Sequence, residues 1–221
     1  MKNWEKKLFV ITLAITLALI PLYFLGEYAS NKWDIQTHGN LFNLDEESSI
    51  GTWYSSILLF SCAISLFILY TKEKKKTVWL GLSALFLYLS ADEFAGLHNI
   101  IGGILNKIMI KPVFSIDMSG YAWVILGLPA VIIIFYLLKK ELKESMPKKA
   151  KYLAATAFAF IIIAIISETT TLIQFLKGLN TSNNIEIIIE EISELISINL
   201  FLYAFLLTLK RNRFKNTLLK K

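Results

Sequence analysis

Charge is scarce in this 221-residue chain: only 18% of its residues are Asp, Glu, Lys or Arg, against about 25% in an ordinary soluble domain. The apolar share is correspondingly high, at 55%, and the mean hydropathy is +0.56. A soluble domain is thereby excluded and a membrane-embedded chain expected. Cysteine is nearly absent. The single Cys62 rules out an intrachain disulfide and a zinc site built from cysteines. Four Pro and ten Gly are too few for low complexity. The chain also lacks a P-loop, a G-x-G-x-x-G and an HExxH, as well as the G-x-S-x-G of a strand-turn-helix hydrolase.

What is present is a series of apolar runs, at about 8–25, 53–71, 78–104, 120–138, 152–176 and 186–209. Each is long enough for a helix across a hydrocarbon core about 30 Å thick. The first resembles a signal peptide, but its length and the absence of an A-x-A-like site after it mark an uncleaved anchor. The net charge of +6, from 23 basic and 17 acidic residues, would suit nucleic acid only if the basic residues gathered on a soluble face. They gather between the runs instead. The N-terminus, the 72–76 turn, the 139–151 loop and the tail after Leu209 hold 19 of the 23. Because Lys and Arg resist translocation, both termini are expected on the cytoplasmic side. The expected fold is an all-α, six-span bundle in one integral membrane domain, residues 1–221, with no nucleic-acid partner. The lysine- and isoleucine-rich composition fits a bacterial plasma membrane. The loop 26–52, with Glu27, Trp33, Asp34, His38, Asp45, Glu46 and Glu47, is expected to lie on the outer surface as a short amphipathic cap. Trp53, Tyr54, Tyr121 and Trp123 stand near outer span ends, where aromatic rings anchor at the headgroup level.

Six acids fall inside the runs: Asp92, Glu93, Glu168, Glu190, Glu191 and Glu194. Facing lipid, each would cost about 2.5 to 3.5 kcal/mol. No Lys or Arg lies within the same runs beside them, and His98 is the one basic candidate there. Depth groups the acids further. Asp92 lies 16 residues from Lys76, Glu168 lies 17 from Lys151, and Glu194 lies 16 from Lys210. All three therefore stand about 24 to 26 Å above the inner border at 1.5 Å rise per residue. His98 and Glu190 form a second tier at about 30 to 33 Å.

Helical phase decides which of them meet. On the third run Asp92, Gly96, Asn99 and Gly103 share a polar, small face. Glu93 lies about 100° from Asp92 and His98 about 120° the other way, so a straight helix would not bring both to one ion. The glycines are candidates for a bend. On the fifth run Ala157, Ile161, Ala164, Glu168 and Thr171 form a stripe of mostly small residues, which turns Glu168 toward neighbouring helices. On the sixth, Glu186, Glu190, Ser193, Glu194 and Ser197 form a polar ridge. Thr12, Thr16 and Tyr23 on the first run and Ser55, Cys62 and Ser65 on the second are candidates to line the same interior.

Carboxylates crowded in a low dielectric cannot all be ionised, so they share protons or bind a cation. Oxygen-rich ligation with one imidazole suits a hard or borderline divalent metal such as Zn, Fe or Mn. Asp92, His98, Glu168 and Glu194 are the expected metal ligands. Glu93 and Glu190 are the expected general bases of a metal-dependent enzyme acting on a lipid or lipophilic substrate. Two alternatives stay open: a proton- or cation-coupled transporter, and a non-enzymatic sensor or assembly subunit. Membrane lipids and a homodimer or partner membrane subunit are the expected partners. Phe94, His98 and the Glu190-Glu191 pair superficially resemble elements of membrane-embedded CAAX-type proteases, but the order is reversed and no Arg follows the pair. LSADEFAGLH in the third run, Trp123 and Pro129 in the fourth, Glu168 in the fifth and EEISEL in the sixth resemble an uncharacterised group of bacterial six-span membrane proteins. That resemblance implies a shared intramembrane acidic site and no particular activity. An acid is expected after the His in that pattern, where this chain has Asn99.

Overall fold

The computed structural model describes residues 3–33, 41–44, 46, 49–73, 76–110, 132, 136, 139, 143–176 and 184–218. The described residues are helical: α1 (Trp4–Trp33), α2 (Ile50–Lys72), α3 (Thr77–Ala95), α4 (Leu97–Leu105), a π-helical run (Asn106–Ile110), α5 (Lys148–Leu176) and α6 (Asn184–Leu218). Five of them, α1, α2, α3, α5 and α6, are long and apolar enough to cross a membrane. The run at 120–138, with Tyr121, Trp123 and Pro129, lies largely outside the described residues, as do Asp34, His38, Asp45 and Glu47 of the outer loop.

Local chemistry sets the helix ends. The Ser49 hydroxyl accepts from the Thr52 amide at 3.1 Å and so caps α2, satisfying one of the amides that a first turn leaves open. After α2 the chain turns back within a few residues into α3. The indole N–H of buried Trp79 donates to Glu73 at 2.8 Å and fastens that turn. Along the α2–α3 seam small polar residues replace bulk. The Ser56 and Ser90 hydroxyls each donate to the other's carbonyl at 2.9 Å, and Ser83 donates to the Ala63 carbonyl at 2.9 Å. Small residues let helix backbones approach where lipid supplies no hydrophobic force.

The centre of the bundle is α6, which packs against α5, α2 and α1, while α2 also pairs with α3. In α6, 72% of the most apolar window is buried, against 17% in α1 and in α5. The last two therefore form the outer wall. Exposed Val10, Ile11, Ile15 and Leu17 on α1 and Ile162, Ile163 and Ile166 on α5, with Ile57, Phe60, Ile64 and Phe67 on one face of α2, give the bundle an apolar belt, the reverse of a soluble surface and the surface that acyl chains require. Inside, Phe201 of α6 meets Phe86 of α3 edge-on at 5.7 Å and Phe158 of α5 at 5.1 Å, and it stacks near Phe205 at 5.9 Å. Phe205 meets Phe86 at 5.5 Å. Each such pair adds about 0.5 to 1.5 kcal/mol beyond its buried area.

Three features depart from the sequence reading. The third apolar run is not one helix over 78–104, because it breaks at Gly96 between α3 and α4. The start of the expected outer loop, residues 26–33, continues α1 as helix. Tyr54 is not an interface anchor: it is 8% exposed, and its hydroxyl donates to the Thr12 carbonyl at 2.6 Å. Its neighbour Trp53, 60% exposed, keeps the position of an anchor.

Candidate functional site

The break at Gly96 organises the site. This residue takes a left-handed conformation, φ 58° and ψ 37°, while its amide donates to the Asp92 carbonyl. A Cβ is disfavoured in that region, which is why helices so often stop at glycine. The next helix starts at once, and Asp92 reaches across the break to cap it. Its Oδ1 accepts from the His98 backbone amide at 2.6 Å, and its Oδ2 stands 3.3 Å from His98 Nδ1. Asp92 therefore holds the imidazole and the first turn of α4 together. In a continuous helix the two residues would point about 120° apart; the break brings them into contact.

Four other acids converge beside this pair. Glu93 from α3, Glu168 from α5 and Glu190 from α6 all lie within electrostatic reach of Glu194 on α6, and His98 lies within reach of Glu168. Glu93, Glu168 and Glu190 are half-buried. Glu194 lies on α6, the central helix, yet keeps open surface on its side chain. Glu93 is held from the second helix by a hydrogen bond from the Ser55 hydroxyl. Ser55 thus does reach the shared interior. Toward the N-terminal end of α6, the Ser167 hydroxyl donates to the Glu186 carbonyl at 3.2 Å, closing α5 on α6.

The set that assembles differs in sorting from the set expected of the sequence. Glu168 and Glu194 stand together as expected, but Glu93 and Glu190 join them, while Asp92 is turned to His98 and the helix start. Among the described residues, no three His, Cys, Asp or Glu side chains stand in an arrangement ready to hold a metal ion. Glu191 is half-buried and lies about 100° off the Glu190 line. Asn99 is exposed.

Two polar residues escaped the sequence reading or its use. Ser197 is 1% exposed and its hydroxyl has no hydrogen-bond partner; three residues on from Glu194, it lies one turn inward on the same helix face. Directly beneath it on that face come Phe201 and the aromatic cluster, which close the site inward. Asn199, also 1% exposed, faces α1. Its amide donates to Thr16 Oγ1 at 2.9 Å and to the Leu195 carbonyl at 2.8 Å. With Thr12 and Tyr54 this makes a second, neutral polar group. It stands 11 residues from Lys210, about 16 Å along α6. A lone Asn inside an otherwise apolar stretch, in phase with Thr16 and Thr12 on another helix, was the signal available for it.

Residues 8–209 match a family described as a domain of unknown function (DUF8692), and the chain belongs to that family. No curated protein and no solved structure matches it. That description carries no activity, so function is argued from the geometry.

Proposed function

We propose that this member of the family is a bacterial plasma-membrane protein of six spans, with both termini cytoplasmic, whose carboxylate cluster binds a divalent cation from the outer side. In this reading Glu168 and Glu194 are the ligands at the centre of the site, with Glu93 and Glu190 beside them and His98 at the outer mouth. The observation that carries the reading is the convergence of carboxylates from α3, α5 and α6 on Glu194, whose side chain keeps open surface. Such a gathering of like charge is costly unless protons or a cation offset it. The unpartnered hydroxyl of Ser197, one turn from Glu194, supports the same reading, since a buried polar atom calls for a partner. The ligands close on the ion when it binds, because the side chains as they stand are splayed.

Zn, Fe or Mn fits the donor set, carboxylate oxygens with one imidazole. A bound ion would supply activation of a water, and Glu93 or Glu190 would be the group to receive its proton. The substrate class is a lipid or lipophilic molecule, because the acidic cluster lies within the depth of the outer leaflet. Metal analysis of the purified full chain tests this. At least one divalent ion per chain is expected, lost in Glu168→Gln and in Glu194→Gln while both variants keep the wild-type unfolding temperature. Wild-type protein without a bound divalent ion, or variants that retain it, would overturn the reading.

One observation favours a second reading, a proton- or cation-coupled transporter. The Asn199–Thr16–Tyr54 group carries polarity to about mid-bilayer, inward of the acids, and transporters of this size place their sites near that plane. Flux driven by pH or by a cation gradient in proteoliposomes, lost in Asn199→Leu, would favour transport. The phenylalanine cluster below Ser197 argues for a site closed on its inner side.

A further inference from the structure

At the opposite end of the same two helices, where α5 begins and α6 leaves the apolar core, lies a pocket of about 230 Å³ lined by Pro147, Lys149, Leu207, Lys210 and Arg211. It is separate from the acidic cluster and plays no part in the reading given for that cluster. We propose that this pocket binds an anionic phospholipid, with the glycerol and first acyl carbons in the apolar cavity and the phosphate at its basic rim.

Its charge is organised. Lys210 is held at 3.1 Å by Glu5 of α1, whose carboxylate is 3% exposed. The Lys149 ammonium lies over the Tyr203 ring, 5.6 Å from its centroid, and that ring stacks on Phe9 at 4.6 Å. Two of the three cations are thus fixed in place by partners on α1 and α6, while the third, Arg211, is exposed. Glu5 offsets one positive charge, which leaves a net +2 around the cavity. That suits a phosphodiester together with its neighbour, or a headgroup with two phosphates. Arginine adds a planar fork that pairs two phosphate oxygens at once.

The walls suit the rest of a lipid. Pro147 and Leu207 are apolar, and lysine and arginine stems present methylenes beneath their charged ends. The surface of the cavity itself is almost wholly apolar, so it offers hydrocarbon to a glycerol and the first acyl carbons, while the charged ends of Lys149, Lys210 and Arg211 belong to its rim. Depth agrees, because Arg211 is the last residue of the apolar length of α6 and Lys148 the first of α5. The pocket sits where headgroups begin. The start of α5, where Lys151 donates to the Pro147 carbonyl at 3.1 Å, adds the partial positive charge of first-turn amides. A zwitterionic headgroup would bring an ammonium into this field and be repelled. Basic pockets between helices at the cytoplasmic border are suited to anionic lipid in just this way.

The test is retention of lipid by the purified full chain, read by native mass spectrometry after exchange from vesicles of phosphatidylglycerol or of phosphatidylcholine. Phosphatidylglycerol is expected to be retained preferentially, and retention to fall about fivefold per basic residue removed in Arg211→Gln and in the Lys149→Gln/Arg211→Gln pair. The single variant changes only an exposed side chain, so it keeps the test sound if the pair unfolds. Lys143→Gln/Lys148→Gln removes the same charge from the same border but outside the pocket, and is expected to retain lipid as the wild type does. Equal loss in the two pairs would mean diffuse attraction and overturn the proposal, as would equal retention of the two lipids. Displacement of the lipid by millimolar inorganic phosphate would point to a free-phosphate site and overturn the assignment to lipid.

Discussion

The two ends of α6 are built on opposite plans. Toward its C-terminal end, Phe201 and Phe205 interlock with Phe86 and Phe158, and the charges that follow are held by partners, Lys149 over the Tyr203 ring and Lys210 on Glu5. Toward its N-terminal end, the same helix presents Glu194 and Glu190 to acids on α3 and α5, beside a helix that breaks at Gly96. One end is close-packed and satisfied. The other keeps an open carboxylate, a hydroxyl without a partner and a left-handed glycine. The difference teaches where stability and function divide: a packed aromatic layer supplies the rigidity against which an electrostatically unfavourable cluster is held, and such a cluster persists only when the surrounding structure fixes it.

That contrast is open to direct attack. Phe201→Ala, which empties the centre of the sealed end, is expected to have the largest effect, a loss of about 3 to 5 kcal/mol read by thermal unfolding in lipid nanodiscs. A loss below 1 kcal/mol would mean that the aromatic layer is not what holds the bundle. Gly96→Ala comes next, at about 1 to 2 kcal/mol, because it forces a Cβ into the left-handed region. It is also expected to lower divalent-ion retention, since Asp92 and His98 lose their shared position. Unchanged stability and retention together would remove the break from the design of the site. Thr16→Val, which strips the Asn199 amide of one acceptor, is expected to cost about 0.6 to 1.7 kcal/mol without changing ion retention. A Thr16→Val variant that loses the ion would join the two polar groups into one functional unit and favour the transport reading. Glu194→Gln should cost least in stability and most in ion binding, the inverse of Phe201→Ala.

Much of this was legible in the chain. A long apolar run reports a membrane helix because each residue adds its own transfer term, and such terms sum along a sequence without reference to neighbours. The similar spacing of Asp92, Glu168 and Glu194 from Lys76, Lys151 and Lys210 is legible in the same way. Small residues at 157 and 164 announced a packed face, and Ala157 and Ala164 are buried. Less legible was Tyr54. A tyrosine near a span end satisfies its hydroxyl equally well at a headgroup or at a carbonyl of another helix, and only the approach of α1 decides for Thr12.

Composition and periodicity by themselves determined that this is an all-helical membrane chain with acids inside its apolar runs, because those properties depend on local transfer energies and on the fixed geometry of the helix. The tertiary structure alone decided which acids meet. Glycine permits a left-handed turn but does not require one, so the break at Gly96 is set by the packing around it. That break turns Asp92 to His98 and leaves Glu93 with Ser55, near Glu168, Glu190 and Glu194. Rotation of each helix about its own axis is fixed by neighbours such as the phenylalanine layer, and no residue encodes that rotation on its own.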